Sequence, residues 1–252
     1  MVLLMVISSL ANAWASTPER LAVAAAVTVC FALLARVVRG VSRSGAWAGG
    51  VACFALFAGT GPGAFATLAV LFAATWISTR FGYRRKLELG LAERREGRNA
   101  GQVLANLAVA TGAALIFSAS GDRGWTVAVV AALAEAATDT VASEVGQSQG
   151  RDAWMITTGA RVSAGTDGGI TFFGTAAGLA AGLVIALVAA ACLVVAPGWI
   201  WIPVLAAFVG MLADSVMGAT IQRRKWIGNQ GVNFVATLLT AAMAYGIVTA
   251  VE

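Results

Sequence analysis

The sequence predicts an all-α fold, a polytopic transmembrane helical bundle of about nine spans with its N-terminus in the cytoplasm. Three observations predict it. Apolar residues make up 59% of the 252 and charged residues 12%, against the ~25% charge of a soluble domain. The mean hydropathy is +0.83. The apolar residues also form runs close to the ~20 residues that a bilayer crossing needs. No polar stretch is long enough for a separate soluble domain, so residues 1–252 read as a single membrane domain.

Polar punctuation divides the chain into runs near 2–16, 20–36, 44–58, 62–79, 99–119, 125–144, 168–195, 199–218 and 231–251. Thr17-Pro18 before the second run is a cap followed by proline, a helix start. The first and third runs are short enough to be re-entrant rather than spanning. Residues 1–15 also have small residues, Ala13 and Ala15, where a signal peptidase would cut, but lack the basic start of a signal peptide.

Basic residues set the expected orientation. With nine spans and a cytoplasmic N-terminus, 15 of the 17 Lys and Arg fall on the cytoplasmic side, and only Arg20 and Arg123 fall opposite. The net charge of +5 is therefore read as topology, not as nucleic-acid binding. Cys30, Cys53 and Cys192 each stand alone in apolar runs, with no disulfide or zinc spacing. The chain has no histidine, which excludes Ser-His triads and phosphohistidine chemistry.

Polar groups in membrane helices are costly and mark sites by default. Here they gather at one set of helix ends. Thr79-Arg80 closes the fourth run. Asn99, Gln102 and Asn106 share one face of the fifth. Glu135, Asp139, Thr140, Ser143 and Glu144 approach the end of the sixth. Arg161 and Gly165-Thr166-Asp167-Gly168-Gly169 open the seventh. Asp214, Gly218 and Gln222 share a face at the end of the eighth, and Asn229 and Asn233 begin the ninth. All lie on the side that the Arg and Lys count makes cytoplasmic, although that count used none of the Asp, Asn, Gln or Gly positions.

Each cluster has a plainer reading. Asn, Gln and Thr also link neighbouring membrane helices by hydrogen bonds. Gly174, Gly178 and Gly182, spaced by four, are expected to serve close helix packing. The basic stretch from Arg84 to Arg98 is read as a topology determinant with some attraction to anionic lipid. Asp139, Glu144, Asp167 and Asp214 fit a plain role least and look like cation ligands. The glycines at 165–169 allow close backbone approach and an anion-binding turn. No Walker A or protein-kinase motif is present, so any nucleotide site has another design.

At these clusters the chain resembles the integral-membrane family that contains the plant phytyl-phosphate kinase of vitamin E synthesis, most of whose members are of unknown function. The residues that carry the likeness are Thr79-Arg80-Phe81-Gly82, Gly97-Arg98-Asn99-Ala100-Gly101-Gln102-Val103 with Asn106, Asp139-Thr140 with Glu144-Val145-Gly146, Gly165 to Gly169, Asp214-Ser215 with Gly218-Ala219-Thr220 and Gln222, and Asn233. The likeness covers roughly residues 45–250, with the motifs in order. Val141 stands where the family often has Trp, and Thr138 where it has a small apolar residue.

The resemblance implies transfer of a phosphoryl group from a nucleoside triphosphate (CTP or another) to a prenyl monophosphate such as phytyl phosphate, giving the diphosphate. With it comes an expected site. Asp139, Glu144 and Asp214 are assigned to Mg²⁺, and with Arg161 to catalysis. Arg80, Asn99, Gln102, Asn106, Gly165, Thr166, Asp167, Gly168, Gly169, Thr220 and Asn233 are assigned to substrate or nucleotide. Asp167 has a second expected role, capping the seventh helix. The expected setting is a prokaryotic cytoplasmic membrane, with the site facing the cytoplasm and no nucleic-acid partner. The competing readings are a CTP-dependent cytidylyltransferase acting on a lipid phosphate and, further off, a transporter, which would place its acids at mid-membrane.

Overall fold

The computed structural model describes residues 17–149 and 153–251. Each predicted run within them is helical: α1 (Thr17–Val37), α2 (Arg43–Thr60), α3 (Pro62–Arg80), α5 (Ala100–Ser120), α6 (Gly124–Ser148), α7 (Phe172–Ala191), α8 (Trp201–Met217) and α9 (Asn229–Val251). A short α4 (Tyr83–Glu88) follows α3. The run at 2–16 lies outside the described residues. Seven of these helices are long and apolar enough to cross a membrane. Of the eight long helices the exception is α2, long enough at 18 residues but less apolar, with Arg43, Ser44, Trp47, Thr60 and four glycines among its residues.

The helix starts are written locally. The Ser42 side chain accepts from Gly45 N at 3.2 Å to open α2. Asn99 and Gln102 form a reciprocal capping box that opens α5. Thr171 accepts from Gly174 N at 3.0 Å to open α7.

Helix α6 is the axis of the bundle. It packs against α3, α5, α7, α8 and α9, and its Val127–Ala137 stretch is buried. Lipid offers no hydrophobic drive between helices, so small residues that permit close approach supply the packing. A Cβ on Gly174 would stand 2.5 Å from Ala142 O, one on Gly178 2.5 Å from Thr138 O, and one on Gly182 2.3 Å from Thr138 Oγ1. The helix-packing role expected of these three glycines is the observed one.

Two elements depart from the pattern. Residues 153–170 form a small antiparallel sheet, order β2-β1-β3, of β1 (Ala153–Met155), β2 (Arg161–Val162) and β3 (Gly169–Ile170). The glycine run therefore does not open the seventh helix, which begins at Phe172, and Thr171 takes the capping role considered for Asp167. Helix α8 continues through a single π-helical turn, Gly218–Gln222. Such turns often sit at functional sites. Here the turn lies against the glycine run: a Cβ on Gly218 would be 2.9 Å from Gly168 N.

Candidate active site

Three cavities line up at one end of the bundle, where the C-terminal ends of α3, α6 and α8 meet the N-terminal ends of α5 and α9. The first, about 430 Å³, lies among α1, α2, α3 and α5. Its depth is apolar (Phe31, Leu68, Leu71, Phe72, Leu107), and its loop end carries Arg39, Arg80, Arg94, Arg95 and Arg98. The second, about 230 Å³, shares Glu93, Arg98, Gln102 and Asn106 with the first and adds Asp139, Glu144, Asp214, Asn229 and Asn233. The third, about 120 Å³, shares Asp139 and Asp214 with the second and is walled by Gly165–Gly169. The order is apolar chamber, guanidinium cluster, carboxylates, glycine turn.

Arg98 sits where the first two cavities meet, and the backbone fixes it there. Its N donates to Gly40 O at 3.1 Å, and its O accepts from Ser42 N at 2.9 Å. Gly97, at φ +82°, makes that approach possible, because a Cβ would stand 2.5 Å from Gly40 C. A Cβ on Gly45 would come within 2.1 Å of Arg98 O. The side chain donates from Nη1 to Thr140 Oγ1 at 3.4 Å and attracts Asp139.

Asp139 on α6 and Asp214 on α8 lie within electrostatic reach of each other, and Asp214 also feels Asp167. Asp214 Oδ2 is buried and has no hydrogen-bond partner among the described residues. A buried carboxylate oxygen left without a donor suits a cation. Glu135, one turn deeper on α6, is 1% exposed, and neither of its carboxylate oxygens has a hydrogen-bond partner among the described residues.

Glu144 is held differently. It pairs with Lys86 Nζ and accepts from Thr79 Oγ1 at 3.0 Å. Lys86 also donates to Ser78 O at 3.1 Å and Thr79 O at 2.8 Å. Among the described residues no three acidic, Cys or His side chains are close enough to hold one metal ion. Asp139, Glu144 and Asp214 thus do not form one three-carboxylate cage. Asp139 and Asp214 face a common space, while Glu144 lines its wall and is tied to Lys86.

The remaining expected residues divide. Gln102 and Asn106 face both larger cavities, and Asn233 faces the second. Asn233 Nδ2 approaches Asn106 Oδ1 at 3.5 Å, and Gln102 Nε2 donates to Glu93 Oε2 at 2.8 Å. Arg80 lies at the first cavity, with Nη2 on Val38 O at 2.5 Å and its guanidinium 3.9 Å from the Trp76 ring centre. Gly165, Thr166, Asp167, Gly168 and Gly169 wall the third cavity. A Cβ on Gly168, at φ +77°, would stand 2.5 Å from Ala219 N, so only glycine fits that turn.

Three expected residues do not face the cavities with the others. Asn99 spends its side chain on the α5 cap. Thr220 is exposed and returns its hydroxyl to Val216 O at 2.7 Å. Arg161 is exposed on β2, paired with Trp154 and outside all three cavity walls. The short sheet leaves it exposed, whereas Arg98 lines both larger cavities. Arg98 and Glu93, which line both larger cavities, and Lys86, which holds Glu144, are absent from the expected site. Arg98 does have a signal in the sequence, since it adjoins Asn99 in the motif, but it stands in a run of topology charges.

No solved structure matches the chain. Among known sequences it is 34% identical to an uncharacterized membrane protein of Synechocystis over 190 residues, 73% of each chain. It is 28% identical to the chloroplastic VTE6 protein of Arabidopsis thaliana over 221 residues, 82% of this chain and 65% of that one. It is 34% identical to an uncharacterized membrane protein of Methanocaldococcus jannaschii over 116 residues, 45% of this chain and 47% of that one. The family model described as integral membrane protein DUF92 matches residues 26–241. With that match over most of its length, and with the helical bundle already described, the chain belongs to the DUF92 family of integral membrane proteins.

Proposed function

We propose that the protein is a membrane-embedded lipid-phosphate kinase that transfers the terminal phosphoryl group of a nucleoside triphosphate to a prenyl monophosphate. The observation that carries this reading is the order of the three cavities. An apolar chamber fits an isoprenoid tail, guanidiniums fit its phosphate, carboxylates fit a divalent cation, and a glycine turn fits the phosphates of a nucleotide. The plant VTE6 protein among the relatives, read with the resemblance to a phytyl-phosphate kinase, supports the same substrate class.

In the reaction an oxygen of the acceptor monophosphate forms a bond to the γ-phosphorus. The bond from that phosphorus to the β–γ bridging oxygen breaks, and the nucleoside diphosphate leaves with the electron pair. A monophosphate has a second pKa of about 6, so it is already an anion and needs no strong base. The lack of histidine is then no obstacle. The barrier is repulsion between polyanions, to be met by positioning and positive charge. Arg98 and Arg80 would hold the acceptor phosphate. The Gly165–Gly169 turn would receive the nucleotide phosphates through backbone N–H groups. Asn106 and Asn233 would orient the groups between them.

Asp139 and Asp214 would hold Mg²⁺, with phosphate oxygens and water completing its shell, as is usual for that ion. The ion would neutralise charge on the reacting phosphates. Glu144 would stay with Lys86 and shape the wall. The site would face the cytoplasm, where nucleotide is available.

The test is purified protein with prenyl phosphates and α- or γ-labelled nucleotide. Label from the γ position in the lipid product supports the kinase. Label from the α position supports cytidylyl transfer instead, and full activity in excess EDTA would remove the metal assignment.

A further inference from the structure

The bundle's glycines fall into two groups. Those on α7 are packed against α6 with no room for a methyl. Gly49 and Gly50 on α2 differ. A Cβ on Gly49 would meet only Val103 Cγ1, at 3.7 Å, and one on Gly50 only Thr28 Cγ2 at 3.8 Å and Ala32 Cβ at 4.0 Å. These are ordinary contacts, so close packing does not demand glycine at either position. Both residues line the apolar chamber, where a missing side chain adds volume.

The chamber has a direction. Arg80 closes α3 at the charged end, and Leu68, twelve residues earlier on the same wall, lies about 18 Å deeper at 1.5 Å per residue. Gly49 and Gly50 sit about two turns inside α2, beyond the level of the arginines. Among the described residues, Arg39, Arg94 and Arg95 at the charged end have no carboxylate partner. Glu93, the acidic residue in this wall, is engaged by Gln102 Nε2 and by Arg94 N at 2.8 Å each. The end therefore keeps an excess of positive charge, suited to a phosphate headgroup whose tail points inward. At 430 Å³ the chamber is within the ~300–1,000 Å³ range of ligand sites.

We infer that Gly49 and Gly50 are specificity determinants: they hold open the inner part of a tail chamber and set the length of isoprenoid chain that the protein accepts. This rests on the lipid-phosphate reading of the site and adds to it where the tail lies and what limits it. A branched side chain at either position would grow into the space that a long tail occupies and leave the phosphate end untouched.

The experiment measures binding, not turnover. Geranyl, farnesyl and geranylgeranyl monophosphates are titrated into detergent-purified wild type and into Gly49→Ala, Gly49→Leu, Gly50→Ala and Gly50→Leu. Farnesol and inorganic phosphate serve as separate probes of tail and headgroup. Trp47→Ala is the control, since Trp47 is 82% exposed and lines no cavity. The expected result is a graded loss for the longest chain, about tenfold or more in the Leu variants, with geranyl phosphate little changed. Misfolding of a Leu variant leaves the Ala variants, which fit without clash and should show the same trend more weakly. Unchanged relative affinities for the three chains in the folded variants would overturn the inference. Chain-length effects on binding without phosphoryl transfer in any assay would leave the chamber standing and sink the kinase. Transfer with unaltered chain preference would do the reverse.

Discussion

Lys86 Nζ, fully buried, donates to Glu144 Oε2, whose side chain is 12% exposed, and so ties the short helix α4 to the end of α6. Three further bonds reinforce the junction: Lys86 to Ser78 O and Thr79 O, and Thr79 Oγ1 to Glu144 Oε1. The wall of the central cavity thus depends on one buried ion pair.

Removing one partner of a buried pair leaves the other charge uncompensated, which costs about 3–5 kcal/mol. Lys86→Met should therefore lower the thermal unfolding midpoint strongly. The double variant Lys86→Met/Glu144→Gln should recover much of that loss, because no bare charge remains. Unfolding curves in one detergent check this. Equal destabilisation in the single and double variants would mean that the pair is not what joins α4 to α6.

Gly97→Ala tests how Arg98 is positioned. The backbone is at φ +82°, and the added methyl would collide with Gly40 C at 2.5 Å and Val41 N at 2.6 Å. The expected outcome is a raised KM for prenyl phosphate, as in Arg98→Gln, with the helices still inserted. Gly112→Ala is the control, for a Cβ there meets nothing within 4 Å. A Gly97→Ala protein with wild-type KM would show that Arg98 need not be held.

Much of this fold was legible in the chain. Apolar runs found the helices, and the three glycines on α7 signalled a close helix packing whose partner, α6, only the structure shows. The expectation that Asn99, Asp139, Gly165–Gly169, Asp214 and Asn233 share one end was also sound, since membrane helices can afford polar groups only where they converge. What remained hidden came from non-local geometry. Arg98 looked like one more topology charge, because its value comes from Gly40 and Ser42, more than fifty residues away. The sequence places Arg161 beside a glycine run that looks like a helix start, whereas the helix begins at Phe172. The few residues of β1–β3 are too short for any periodic signal, and they leave Arg161 exposed while the glycine run walls a cavity.

Orientation gives a third prediction. A reporter fused after Glu252 should lie on the non-cytoplasmic side, and a cysteine placed at the exposed Glu88 should be labelled from the cytoplasm. The basis is the 15-to-2 division of basic residues. Cytoplasmic signal from both positions would overturn the nine-span arrangement and remove the site from its nucleotide supply.

The last prediction concerns the two carboxylates that face a common space. Asp139 and Asp214 come from different helices, and Asp214 Oδ2 is buried with no donor among the described residues. If they share a cation, Asp139→Asn and Asp214→Asn should each nearly abolish turnover, while both proteins fold and insert. Asn keeps the shape and removes the charge, so packing is little altered and the cation site is lost. The double variant should be no worse than either single one, because residues that act as a unit are strongly non-additive. A repulsion-only picture predicts the contrary for stability: taking away one of two like charges 75 positions apart in sequence but close in space should raise the unfolding midpoint without Mg²⁺. Both effects follow from the same geometry. The expected pattern is thus loss of activity together with equal or greater stability in metal-free buffer, and loss of the Mg²⁺-induced rise in midpoint that wild type should show. Thr220→Ala, whose hydroxyl is already spent on Val216 O, should behave as wild type in all three measurements. Folded single Asp variants that keep most of their activity would end the assignment of these carboxylates to the reaction.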